Sequence, residues 1–107
     1  MAYKILGQAH LTNTSDTDVY TVPAATETVV STIVVANIGT VATTFNLAVR
    51  EDGDTLADEH YVGKGVPIAA NDSTTLTLGI TMNASDVITA AAGTANALSF
   101  NVFGSEV

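Results

Sequence analysis

The chain has 107 residues, with three basic side chains against eleven acidic ones, no cysteine and a formal net charge of −8. This length leaves room for one domain, residues 1–107, and the lack of cysteine excludes disulfides and thiolate metal sites. Direct nucleic-acid binding and docking on an anionic membrane both require Lys and Arg clusters, so we expect neither.

Hydrophobic residues make up 47% of the chain, but most are Ala and Val, and only 6% of residues are aromatic. A core of small side chains buries little area per residue, so added burial at a subunit contact would stabilise the fold. We therefore expect a homo-oligomer, with a trimer favoured. The N-terminal apolar run is too short for a signal peptide, and no run approaches the ~20 residues of a membrane span. A soluble protein made in the cytoplasm is expected.

Short runs rich in Val, Ile, Thr, Tyr and Phe alternate along the chain with clusters of Asn, Asp, Gly, Ser and Pro, which is typical of strands joined by tight turns. Residues 55–62 are compatible with a strand or a short helical turn. The predicted strands cover residues 3–9, 19–22, 27–37, 41–50, 66–69, 74–81, 87–92 and 98–103.

Alternation with a period of two identifies the core-facing side of several strands. Phe45, Leu47 and Val49 form one such set. Two further sets are Leu76, Leu78 and Ile80, and Leu98, Phe100 and Val102. Seven to nine short strands at this spacing predict an all-β, single-domain antiparallel β-sandwich with a jelly-roll-like arrangement.

The acidic segment 51–59 is the densest group of candidate catalytic or metal-binding side chains. Its Glu51, Asp52, Asp54, Asp58 and Glu59 do not follow the spacing of a calcium loop. A solvated turn around Gly53, with positive φ at the glycine, explains this composition, and cation binding stays open.

The two histidines offer no metal or nucleophile motif. His10 and His60 lack metal-ligand spacing, and no G-x-S-x-G sequence is present. Three tyrosines, Tyr3, Tyr20 and Tyr61, are suited to a sugar-binding surface or, as we favour, to the rim of the core. The sequence therefore predicts no enzyme, no cofactor and no metal site.

Threonines on the strands predict a different kind of surface. Thr43, Thr44, Thr75 and Thr77 are expected to project away from the core, with few charges among them. A flat, uncharged surface of this kind is suited to packing against another protein. Further interface candidates lie near the chain ends: Tyr3, Lys4, Ile5, Phe103 and Val107.

Several segments resemble small virion structural proteins of tailed bacteriophages. The likeness spans essentially the whole chain and includes MAYKILGQ at the N-terminus, VYTVPA at 19–24, VVSTIVVAN at 29–37, ANDS at 70–73, LGIT at 78–81, DVI at 86–88 and LSFNVFGSE at 98–106. The resemblance implies a β-sandwich or jelly-roll subunit of the virion, assembled in the host cytoplasm, with no catalytic residues.

Two functions follow as expectations from this resemblance. The first is a capsid decoration, or cement, protein that binds the major capsid protein or other virion proteins and stabilises the shell through avidity. The alternative is a tail, neck or fibre module that recognises host-surface glycans through loops at one end of the sandwich. The position in the particle and the host receptor stay open.

Overall fold

A computed structural model describes residues 2–107 and contains eight strands within them. The first residue of the predicted domain, and of the N-terminal motif, lies outside the described part. The strands are β1 Tyr3–His10, β2 Thr17–Thr21, β3 Thr28–Asn37, β4 Thr43–Arg50, β5 Tyr61–Ile68, β6 Ser73–Met82, β7 Val87–Ala92 and β8 Leu98–Glu106. Single turns of 3-10 helix, Glu51–Gly53 and Asp58–His60, lie in the β4–β5 connection.

The strands form two antiparallel four-stranded sheets that pack face to face. The front sheet has the order β1-β8-β3-β6 and the back sheet the order β2-β7-β4-β5. Eight strands distributed in this way between two sheets form a jelly roll. The predicted all-β antiparallel sandwich is therefore confirmed.

Inward-facing side chains of the two sheets form one continuous core. Phe45 of the back sheet meets Phe100 of the front sheet edge to face, with ring centroids 6.1 Å apart. Leu98, Phe100 and Val102 are all buried, as the alternation in β8 predicts. In β4, Phe45 and Leu47 are fully buried and Val49 is partly buried against the core. These aromatic and branched side chains fill the centre that the many alanines cannot fill alone.

Residues 55–62, for which the sequence left two alternatives open, contain both. A 3-10 turn at Asp58–His60 leads directly into β5, which begins at Tyr61 and passes through Gly63 and Gly65. β5 also contains Pro67. It is an edge strand with two register irregularities against β4, so it tolerates a proline and a glycine with positive φ.

The core-facing set predicted for β6 is wrong at one position. Leu76 and Ile80 pack against the core, but Leu78 is exposed. The register between β3 and β6 shifts between Thr77 and Ile80, and Gly79 adopts a φ of +60° there. This bulge breaks the period of two, so Leu78 does not face the core.

Candidate docking surface

The outer side of the front sheet carries three rows of side chains that run across all four strands. Within each row the residues are register partners, so their side chains lie on the same side of the sheet. The rows are Ile5–Phe103–Thr32–Thr77, Gln8–Asn101–Val34–Thr75 and His10–Ser99–Ala36–Ser73. We call these residues the front face.

The front face combines hydroxyl, amide and apolar groups without a formal charge. Its residues on the central strands β3 and β8 are half-buried by their neighbours, whereas those on β1 and β6 are exposed. Gln8 donates a hydrogen bond to Asn101 across the strand pair at 2.7 Å. The imidazole of His10 lies 3.0 Å from the carbonyl oxygen of Asn96 at one end of the face. The surface is thus polar enough to stay hydrated, and it has no carboxylate, ammonium or guanidinium group, which are costly to bury.

None of the eleven side-chain carboxylates belongs to the front face, and only Asp72 borders it, where it accepts a hydrogen bond from the Ser73 amide at 2.8 Å. Most are in turns and connections, one lies on the back sheet and one at the end of β8. They are Asp16, Asp18, Glu27, Glu51, Asp52, Asp54, Asp58, Glu59, Asp72, Asp86 and Glu106. A chain of net charge −8 therefore presents one broad surface that has no carboxylate among its own residues, with Asp72 at its border.

The ionised groups at the end of the front sheet are held on its inner side. Glu106 on β8 accepts a hydrogen bond from the hydroxyl of Tyr20, on β2 of the back sheet, at 2.5 Å. Lys4 lies 2.6 Å from the same carboxylate, and the Tyr20 oxygen is 2.7 Å from the hydroxyl of buried Thr28. We call Lys4, Tyr20, Thr28 and Glu106 the terminal clamp, because it joins the two sheets near both chain ends.

Two pKa values in the terminal clamp differ from those of free side chains. Burial, followed by the hydrogen bond to Glu106, raises the pKa of Tyr20 to about 12. Hydrogen bonds from Lys4 and then from Tyr20 lower the pKa of Glu106 below its usual value. The carboxylate is therefore ionised and the phenol neutral over the physiological range, which is the pairing that the observed hydrogen bonds require.

The outer side of the back sheet is partly covered along its central strands, in contrast with the front face. Both sides of β7 are buried, including Val87, Thr89 and Ala91, which alternate with its core-facing residues. The acidic β4–β5 connection, residues 51–60, contacts β7 and β4. A connection that lies on a sheet removes that sheet surface from contact with a partner.

Arg50 fixes the covering connection to the back sheet. Its Nε donates to the Thr89 hydroxyl at 2.9 Å, and Nη2 forms an ion pair with Asp18 at the same distance. Nη1 donates to the carbonyl oxygens of Gly53 and Asp54 at 3.3 and 2.7 Å. One guanidinium thus ties two strands and the connection together through its planar set of donors.

The acidic segment 51–59 forms turns that are held by local hydrogen bonds. Asp52 and Gly53 both adopt positive φ, the glycine as the sequence predicts, and the Asp52 amide donates to Asp86. His60 accepts a hydrogen bond from the Ala57 amide through Nδ1 at 2.9 Å.

Within residues 2–107, no three His, Asp or Glu side chains are grouped so that they could hold a metal ion. In the same range, no helix has the length and apolarity to cross a membrane.

Five of the nine residues predicted at an interface lie on one side of the molecule. Ile5, Thr75, Thr77 and Phe103 belong to the front face, and the exposed Tyr3 lies on the same side of β1 as Ile5. They were predicted separately from the sequence, some because of its threonine content and others because they lie near the chain ends. Strand pairing brings them together.

The other four candidates lie elsewhere. Lys4 is held in the terminal clamp, and Val107 exchanges two backbone hydrogen bonds with Glu27. Thr44 is exposed on the back sheet. Thr43 does not project away from the core as predicted. Adjacent residues of a strand face opposite sides, so Thr43 faces away from Thr44 and lies on the same side of β4 as the core residue Phe45. It pairs with buried Ile68, and its hydroxyl forms a hydrogen bond with that of Thr94.

Sequence reasoning missed the centre of the front face. Thr32 and Val34 on β3, and Ser99 and Asn101 on β8, occupy its two middle strands. A signal was present, since each of them alternates with a core residue of its strand. Only the adjacency of β3 and β8, which are distant in the chain, makes these residues neighbours.

Comparisons of the chain with family models, curated protein sequences and solved structures gave no match.

Proposed function

We propose that the chain is a non-enzymatic structural subunit that docks through its front face on the protein surface of a larger assembly. The observation that carries this proposal is the contrast between the two outer surfaces. The front face is uncovered and contains no Asp, Glu, Lys or Arg in a chain of net charge −8, whereas the acidic β4–β5 connection covers part of the back sheet. A face without carboxylates is desolvated at lower cost than any other broad surface of the chain.

The size of the front face fits a shallow docking contact. Together with the neighbouring row Tyr3–Ser105–Val29–Thr81, the front face covers four strands about 4.8 Å apart over about eight residues of about 3.3 Å each, or roughly 500 Å². A docked face of that size removes about 1,000 Å² in total, the lower limit for a specific interface. A single copy would bind modestly, and many copies on a repeating surface would stabilise it together.

The resemblance to small virion proteins of tailed bacteriophages supports a phage particle as that assembly. The capsid shell offers symmetry-related sites in large number, so we propose a decoration, or cement, protein bound to the major capsid protein. The scattered tyrosines give no support to glycan recognition. Tyr20 is buried in the core, Tyr3 is exposed beside the front face, and Tyr61 on the back sheet carries the Lys64 ammonium over its ring at 4.8 Å.

Two matched variants test the role of the front face. Ile5 on the front face is 54% exposed and Val62 on the back sheet is 53% exposed. Ile5→Asp places a carboxylate in the proposed contact, whereas Val62→Asp places one on a surface outside it. In co-sedimentation with particles that lack this chain, we expect Ile5→Asp to bind at least about tenfold more weakly, a loss of about 1.4 kcal/mol. Equal binding by both variants would contradict docking through the front face.

Cryo-electron microscopy of the assembled particle tests the location. Density for the chain on the icosahedral lattice, in hundreds of copies per virion, is the expected result. A handful of copies with density at a tail tip would overturn the shell assignment. Specific binding on a glycan array would favour the receptor-binding alternative.

A further inference from the structure

The sandwich has four edge strands, and three of them carry features that oppose pairing with another chain. β1 contains Lys4, β5 contains Lys64 and Pro67, and β2 has only five residues, of which Asp18 is charged. Charged side chains, proline and shortness are the usual means by which soluble proteins protect the unpaired backbone groups of an edge.

β6 is different from the other three edges. Its ten residues, Ser73–Met82, include no charged side chain and no proline. β3 is its strand partner on one side, so every second residue directs its backbone N–H and C=O groups away from the sheet. Thr75, Thr77 and Leu78 are exposed. The bulge at Leu78–Gly79 is its one protective feature, and it leaves Ser73–Thr77 in unbroken register with β3.

The sequence of this regular half is suited to pairing with a copy of itself. In an antiparallel pair with a two-fold axis at Thr75, that threonine lies opposite its counterpart. Thr77 then lies opposite Ser73 of the other copy, and Leu76 opposite Thr74. Hydroxyl side chains therefore meet on the outer side, where Thr–Thr and Thr–Ser cross-strand pairs stabilise sheets.

Charge also favours this register. Two chains of net charge −8 repel each other, and the carboxylate nearest to the regular half of β6 is Asp72. In the two-fold register the Asp72 residues of the two copies lie about six residues, or about 20 Å, apart along the strands. That separation is about twice the screening length of ~8–10 Å at physiological ionic strength, so their repulsion is largely screened.

We propose that β6 is a self-association edge at which a second copy of this chain adds antiparallel, joining two front sheets into one eight-stranded sheet. The two front faces then lie side by side on one continuous surface. The inference goes beyond the proposed function and is independent of it, because purified chain alone is sufficient to test it. A two-fold pair is a dimer, which differs from the trimer favoured by the sequence.

Disulfide trapping tests the register, since the chain has no cysteine of its own. Directly opposed residues of an antiparallel pair have Cα atoms about 4.5–5.5 Å apart, within the range that a disulfide spans. We expect Thr75→Cys to form a covalent dimer under mild oxidant at least tenfold faster than Thr77→Cys. Thr77 is exposed on the same strand, but its two copies would be about 14 Å apart along the strand axis. Equal rates for the two variants would overturn the proposed register.

Light scattering across a range of protein concentrations tests the association without a covalent bond. The wild-type chain is expected to shift from monomer to dimer as concentration rises. Thr75→Lys places two like charges on the two-fold axis and should raise the dimer dissociation constant at least tenfold. Thr14→Lys, at an exposed loop threonine, is the control and should match wild type. Circular dichroism verifies that all variants fold. A monomer at every concentration, or a trimer, would overturn the inference.

Discussion

Replacing Tyr20 with phenylalanine removes one oxygen atom from the terminal clamp and leaves the ring in the core. That oxygen donates to the Glu106 carboxylate and lies 2.7 Å from the hydroxyl of Thr28, which is 1% exposed. A hydrogen bond to a charged group contributes about 1.5–3 kcal/mol, and a buried hydroxyl left without a partner costs about 1–3 kcal/mol. Both effects come from the loss of one hydroxyl and overlap, so we expect Tyr20→Phe to lower the free energy of unfolding by about 2–4 kcal/mol, less than their full sum.

Urea denaturation at neutral pH, followed by circular dichroism, measures this loss. Tyr3→Phe is the matched control, because Tyr3 is 76% exposed and the same atom is removed there. We expect that control to stay within about 0.5 kcal/mol of wild type, as is usual for surface substitutions. A loss below about 0.5 kcal/mol for Tyr20→Phe would refute the argument that the clamp holds the two sheets together.

A double variant separates the hydrogen bond from the cost of the orphaned group. Thr28→Val removes the hydroxyl that Tyr20→Phe leaves without a partner, at nearly constant shape. Replacing both members of a buried polar pair is less harmful than replacing one. The double variant should therefore be less destabilised than the sum of the two single variants. Additive losses would mean that the two hydroxyls do not interact.

Three further outcomes follow from the structure. The pKa of Glu106 is lower in the folded protein than in the unfolded chain, so the ionised carboxylate stabilises the fold above about pH 4.5. This stabilisation is lost as the pH falls through the pKa of the folded state. Glu106→Gln should therefore reduce the difference in urea midpoint between pH 7 and pH 3. In an absorbance titration of the phenols, the ionisation step near pH 12 should be missing in Tyr20→Phe. A Cβ added at Gly104 would lie 2.0 Å from the Val29 carbonyl oxygen, so Gly104→Ala should cost about 1–3 kcal/mol in thermal or urea unfolding, and an unchanged midpoint would contradict this packing.

The amino-acid sequence was sufficient to predict the all-β class and several strands, because alternation in a half-buried strand is a local property. The prediction for β7, Val87–Ala92, matches the structure at both ends, and the core-facing set of β8 is correct. The strand β5 was not predicted over its full length, because Gly63 and Pro67 are residue types typical of turns when only the neighbouring sequence is considered. Only its position at a sheet edge makes a strand there compatible with them.

The candidate docking surface depended on tertiary structure to a greater extent. The sequence named threonines and residues near the chain ends, but it did not place Phe103 beside Thr32, which are register partners on β8 and β3. It also did not predict that residues 51–60 contact β7 and β4 of the back sheet and leave the front face uncovered. Alternation along one strand determines which side chains point away from the core. Which of those side chains become neighbours, and which of the two outer faces stays open, is decided by pairing between distant strands and by the path of one connection.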